Sequence, residues 1–131
     1  MTRRTKQGEA IKNVLVNCPS PLSAVEILAR AKQVVPDMGL ATVYRHLNRW
    51  LREGKLTPVE FPGETCRFET TGKGHHHHFL CRDCGRVFDL PGCVAGLHSF
   101  VPAGFVPRQH ELTIYGACPT CARQTENNHA N

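Results

Sequence analysis

The chain has 131 residues, enough for one compact domain or two small ones, and two small ones are the expectation. Sixteen Lys and Arg against eleven Asp and Glu give a formal charge of +5, which suits a polyanionic partner. No apolar run approaches the roughly 18–20 residues of a membrane span, and nothing of signal-peptide type follows Met1-Thr2-Arg3-Arg4-Thr5-Lys6, so a cytoplasmic protein with no membrane partner is expected.

The first helix is predicted over Gln7–Asn17, with Ile11, Val14 and Leu15 at helical spacing, and Cys18-Pro19-Ser20-Pro21 ends it. Ser23 and Glu26 form a capping-box pattern that starts a second helix, with Val25, Ile27, Leu28 and Ala31 as its apolar face. Pro36-Asp37-Met38-Gly39 is a turn. Leu40, Val43, Tyr44, Leu47, Trp50 and Leu51 then mark a third helix that runs to Gly54. Leu56–Glu60 and Thr65–Glu69, joined through Pro62-Gly63-Glu64, read as a hairpin. Three short helices followed by a hairpin are the pattern of a winged helix-turn-helix over residues 1–70.

In such a module the third helix enters the major groove, and its exposed face would carry Thr42, Tyr44, Arg45, His46, Arg49 and Arg52. The same face also fits a solvated basic surface, and Tyr44 fits a core ring. Arg3, Arg4 and Lys6 read either as an arm for the minor groove or as a solvated terminus.

The second part, residues 71–131, begins at the hinge-like Gly72-Lys73-Gly74. His76-His77-His78-Phe79-Leu80 is a predicted strand whose period of two places His75 and His77 on one face and His76 and His78 on the other. The histidine run is internal, unlike a purification tag. Val87–Leu90 is a second strand, Cys93–Val101 a short helix and Gln109–Tyr115 a third strand. His110 on that strand reads as a ligand or as an ordinary histidine.

Two Cys-x-x-Cys pairs, Cys81/Cys84 and Cys118/Cys121, flank this part. Four thiolates at that spacing supply the closed tetrahedral shell of a structural Zn²⁺, with sulfurs at about 2.3 Å from the ion. The stretch between the pairs exceeds the roughly 15–20 residues of an ordinary zinc ribbon, so the knuckles are expected to clip the ends of a small α/β unit. Two disulfides are the alternative, and they are rare in reducing cytosol.

Gly39-Leu40-Ala41-Thr42-Val43-Tyr44-Arg45-His46-Leu47 and His75-His76-His77-His78-Phe79-Leu80-Cys81-Arg82-Asp83-Cys84-Gly85 resemble the recognition-helix and metal-knuckle signatures of the ferric uptake regulator family, over about residues 5 to 121. The resemblance implies an α+β chain: an N-terminal winged helix-turn-helix and a C-terminal α/β dimerisation domain. It also implies a homodimer that holds structural zinc and a second divalent metal, and that represses metal-uptake genes from palindromic operators.

Carried over by residue, the regulatory shell would take Glu69, His76, His78 and Asp89, and an accessory site would take His75, His77 and His110, with Cys93 as a further candidate. One departure stands out. Iron and peroxide sensors of the family supply a histidine just before the second helix, where this chain has Pro21-Leu22. Cys66 lies near the position from which zinc-sensing members supply a thiolate. A soft sulfur among imidazoles favours Zn²⁺ over Mn²⁺, so a zinc uptake regulator is expected, with Cys66 as a small core residue the alternative. Iron, manganese or peroxide response is the nearer rival. A zinc-dependent hydrolase or deaminase is the distant one, because no nucleophile–base pair and no deaminase arrangement of His-x-Glu with Pro-Cys-x-x-Cys is found; the chain is read as no enzyme.

Overall fold

A computed structural model of the chain describes residues 5–94 and 96–129, the last five of them as backbone only. The chain divides into two units, Met1–Lys73 and Gly74–Asn131.

In the first unit α1 spans Lys6–Asn17. Thr5 caps it, its hydroxyl accepting from the Gly8 N–H at 2.9 Å, and the chain then leaves the helix into the two prolines. A two-residue strand, β1 (Leu22–Ser23), runs straight into α2 (Ala24–Ala31). Ser23 and Glu26 close the capping box in both directions, at 3.2 and 3.0 Å. The third helix, α3, covers Leu40–Arg52. Strands β2 (Leu56–Val59) and β3 (Arg67–Thr70) pair antiparallel with Thr57 opposite Glu69, and β1 lies on the other edge of β3. The hairpin's second strand starts two residues later than predicted, because a turn closed by Glu64 N–H on Phe61 O leaves Thr65 and Cys66 in the connection. Ile11, Leu15, Ile27, Val43 and Leu47 are fully or almost fully buried in one apolar core shared by the three helices, with Leu56 and Phe68 from the sheet.

In the second unit β4 (His76–Cys81) is the central strand of three. It pairs antiparallel with β5 (Val87–Pro91) and parallel with β6 (Thr113–Gly116). Gly116 ends β6 close against Phe79, where an added Cβ would stand 3.2 Å from Phe79 Cζ and require the ring to shift by a few tenths of an ångström. Two predicted elements are shorter than expected. The helix over Cys93–Val101 reduces to one 3₁₀ turn, Leu97–Phe100, because Gly92 and Gly96 adopt left-handed φ of +81° and +84° and break a regular helix. The strand over Gln109–Tyr115 begins only at Thr113, the preceding residues leaving the ladder where His110 turns toward His75 and His77. After the second knuckle comes α4 (Pro119–His129), which the sequence reading left undescribed; its proline stands at the first helical position, where no N–H is missed.

The apolar side chains buried in the second unit, among the described residues, are Leu80 and Val87 together with Cys81 and Cys118. Two aliphatic residues do not hold a unit of this size, so it depends on something besides a hydrophobic core. No helix among the described residues is long and apolar enough to cross a membrane.

Candidate metal centres and basic helix face

Three groups of potential ligands can be built from the strands upward. The first joins the knuckles: Cys81 ends β4, Cys84 follows in a turn closed by Gly85 N–H on Cys81 O at 2.9 Å, and Cys118 and Cys121 flank the start of α4. Their four sulfurs lie within 4.8 Å of one another, Cys84 and Cys118 at 3.9 Å. A tetrahedron with sulfurs at about 2.3 Å from its centre has edges of about 3.8 Å, so the spacing fits Zn²⁺. It does not fit a disulfide, whose sulfurs stand about 2.05 Å apart, and all seven cysteines are free. Burial opposes ionisation of Cys81, but the N–H groups of Cys118 and Cys84, at 3.3 and 3.5 Å, bring it down to about 6. Cys121, beside Cys118 and also buried, is pushed up to about 12. Thiols that resist sharing negative charge in this way are a donor set that a dication suits.

The second group joins His77 of β4 to His75, which directly precedes the strand; their rings meet edge to face at 4.6 Å. His110 Nε2 stands 3.0 Å from His75 Nε2 and 3.3 Å from His77 Nε2, and Cys93 Sγ stands 3.2 and 3.1 Å from His77 and His110. Tetrahedral zinc requires N–N edges of about 3.3 Å and S–N edges of about 3.5 Å, close to those found. His77 is buried, and burial, followed by the neighbouring imidazoles, lowers its pKa, which favours the neutral ring that a metal ligand needs. The sequence named Cys93 only as a further candidate; its place is set by the turn after β5, which no spacing rule reports.

On the opposite face of β4, His76 and His78 meet at 4.9 Å, and His78 Nε2 lies 3.5 Å from Asp89 Oδ1. The pairing of β4 with β5 sets this last contact, because His78 is directly opposite Asp89. The separation is longer than a direct hydrogen bond of about 2.9 Å and matches two ligands of one ion. Glu69 sits in the first unit on β3, buried, with its carboxylate toward Lys73. Cys66 joins none of the three groups. Its half-buried thiol packs against the helical core and donates to Arg67 O at 3.5 Å, and burial, then Glu60, raises its pKa.

On α3, Thr42, Arg45, Arg49 and Arg52 fall on one face, opposite the buried Val43 and Leu47. Arg45 donates to Thr42 Oγ1 at 3.2 Å. Arg49 donates to His46 Nδ1, also at 3.2 Å, which puts the neutral ring's proton on Nε2. Burial, followed by Arg49 and Arg45, lowers the His46 pKa. The His46 ring lies 5.4 Å from Trp50 and packs against Gly8. Tyr44 is 40 % exposed, on the surface rather than in the core. Lys6 is exposed at the start of α1, whereas Arg3 and Arg4 lie outside the described residues.

The profile of the ferric uptake regulator family matches residues 1–115. The chain is similar to a ferric uptake regulation protein of Campylobacter jejuni, 29 % identical over 92 % of this chain and 80 % of the relative. It is also similar to the peroxide operon regulator of Bacillus subtilis, 32 % identical over 93 % and 86 %. Among solved structures, a zinc-bound manganese uptake regulator superposes with a TM-score of 0.78 at 23 % identity, covering 89 % of this chain and 91 % of that one. The Helicobacter pylori ferric uptake regulator, described with three functional metal binding sites, gives 0.69 at 23 % over 92 % and 82 %.

Proposed function

The chain belongs to the ferric uptake regulator family, metal-responsive regulators and not enzymes, and within it we propose a zinc-responsive cytoplasmic repressor that binds palindromic operator DNA as a homodimer. The observation that carries the zinc reading is Cys93 Sγ converging with three imidazole nitrogens, since a thiolate among imidazoles is a soft shell that selects Zn²⁺ over Mn²⁺. In this reading Cys81, Cys84, Cys118 and Cys121 hold structural zinc, and His75, His77, Cys93 and His110 hold accessory zinc. The regulatory ion takes His76, His78 and Asp89, with Glu69 from the preceding unit. Cys66 is left out of that shell, because its packing supports the core role. A metal with ligands on both sides of the short stretch from Thr70 to His75 restricts how the recognition helices are presented. Two helices held one duplex turn apart, about 34 Å, read both half-sites together.

The homodimer is supported by an excess of exposed apolar surface in the second unit: Phe100, Val106 and Phe105 are 82, 73 and 67 % exposed, and Ile114 and Tyr115 on β6 more than 40 %. A unit that exposes more large apolar side chains than it buries is completed by a second copy. A DNA-binding role for α3 is supported by its aligned Arg45, Arg49 and Arg52. Replacing Arg45 with alanine is expected to cost operator binding about 1–3 kcal/mol if it contacts a base, or to lower the salt slope by about one unit if it contacts a phosphate, with metal content and dimer unchanged. Equal affinity at matched salt would reduce the helix to a solvated basic face.

A second reading rests on the proposed regulatory ligands His76, His78, Asp89 and Glu69, where two imidazoles and carboxylates without sulfur also suit Fe²⁺ or Mn²⁺. Operator titrations at buffered free Zn²⁺, Fe²⁺ and Mn²⁺ separate the readings. A response to iron or manganese without one to zinc would remove the zinc assignment and leave the regulator. Cys93→Ser is expected to release one zinc per chain and to narrow the preference for Zn²⁺ over Mn²⁺, whereas Cys66→Ser leaves metal content as it was; the reverse pattern in metal analysis would move the sulfur ligand back to Cys66.

A further inference from the structure

We infer that Lys73 is a built-in competitor of the regulatory metal: its ammonium holds the Glu69 carboxylate in the metal-free protein and so raises the metal concentration at which the regulator responds. The inference rests on the proposed reading of Glu69 as a ligand. Glu69 is only 7 % exposed, and a buried carboxylate is costly unless a cation pairs with it. Lys73 Nζ provides that cation, 3.4 Å from Glu69 Oε2, and the same ammonium donates to the Pro19 carbonyl in the loop between α1 and β1. The lysine lies between Gly72 and Gly74, both in the left-handed conformation at φ +93° and +78°, a backbone course that other residues adopt at a cost. The pair is an i,i+4 contact within the first unit, from the end of β3 to the turn that follows it.

A dication that takes Glu69 must take it from this ammonium, or bind with a fixed positive charge a few ångströms away. Both effects weaken the metal. Removing the lysine charge therefore tightens metal binding, the opposite of what the loss of a structural ion pair would do.

The test measures metal affinity of the full-length protein by competition with a chelating dye at pH 8. Zn²⁺ and Mn²⁺ serve as probes, and the difference between wild type and His78→Ala defines the regulatory site. Lys73→Gln is expected to tighten that site about tenfold, the worth of a charged hydrogen bond, and to move the operator-binding midpoint to correspondingly lower free metal. Lys73→Arg keeps the charge and is expected to match wild type. Lys73→Met, which keeps the aliphatic stem, replaces the glutamine variant if thermal melting shows the latter unfolded. An affinity that is unchanged or weaker in the folded neutral variant overturns the inference alone. A wild type with no second ion dependent on His78 removes the regulatory site, and the inference with it.

Discussion

Serine in place of Cys84 is expected to empty the four-sulfur site, unfold the second unit and dissociate the dimer. The magnitudes favour collapse over local damage. Structural zinc in a tetrathiolate contributes about 10–16 kcal/mol of folding free energy, so one ligand's share is about 2.5–4 kcal/mol. A unit of roughly 60 residues has about 3–9 kcal/mol of stability in all. Here the reserve is at the low end, because Leu80 and Val87 are the aliphatic side chains found buried in the second unit among the described residues. The first unit, with its own apolar core over α1, α2 and α3, is expected to keep its helical circular dichroism. Zinc analysis, sedimentation and far-UV spectra of the variant decide; a fully zinc-loaded, stable dimer would refute the structural assignment.

The elements that sequence pattern reported best are those fixed by local chemistry. Ser23 and Glu26 form their capping box as predicted, because both halves lie within one helical turn. The alternation of His75 to His78 across β4 follows from pleat geometry alone, and it sorts the histidines into two groups before any contact is known. What pattern did not report depends on tertiary pairing. The strand Leu22–Ser23 is too short for periodicity and exists because β3 lies beside it. Helix α4 carries no apolar stripe that would have marked it, and Cys118 and Cys121 read as a knuckle whether or not a helix follows.

Cys66 and Cys93 show the same limit within the candidate site. Cys66 precedes a strand near the histidines in sequence, yet it faces the helical core; Cys93 follows β5 by two residues and reaches His77 and His110 only through the turn at Gly92. Sulfur softness argues for zinc from either position. Which of the two supplies it is a matter of chain path, and the path runs through glycines whose φ a sequence does not print. Lys73 is a third case, an ordinary lysine by composition, whose pairing with buried Glu69 depends on the fold.

Alanine in place of His78 is expected to separate folding from response. The His78 ring lies on the opposite face of β4 from His77, and it contributes nothing to the four sulfurs at the strand's end or to the Cys93 group. The variant should fold, dimerise and retain both zinc groups, because neither shell loses a donor. It should bind one divalent ion fewer per chain, since the face of β4 with His76 and Asp89 loses a ring nitrogen. Metal-dependent operator binding should then disappear. The family's coupling between effector and DNA is the free energy that is lost, on the order of 1–3 kcal/mol or about 5–150-fold in affinity. The affinity left should equal that of wild type with its four-sulfur site filled and its regulatory site empty, because a site that cannot fill leaves the population where it was. Operator titration with and without saturating metal, beside metal analysis of the same samples, reads both quantities. A variant that loses an ion yet still tightens on DNA when metal is added would move the switch to the His75, His77, Cys93 and His110 group on the other face of the strand.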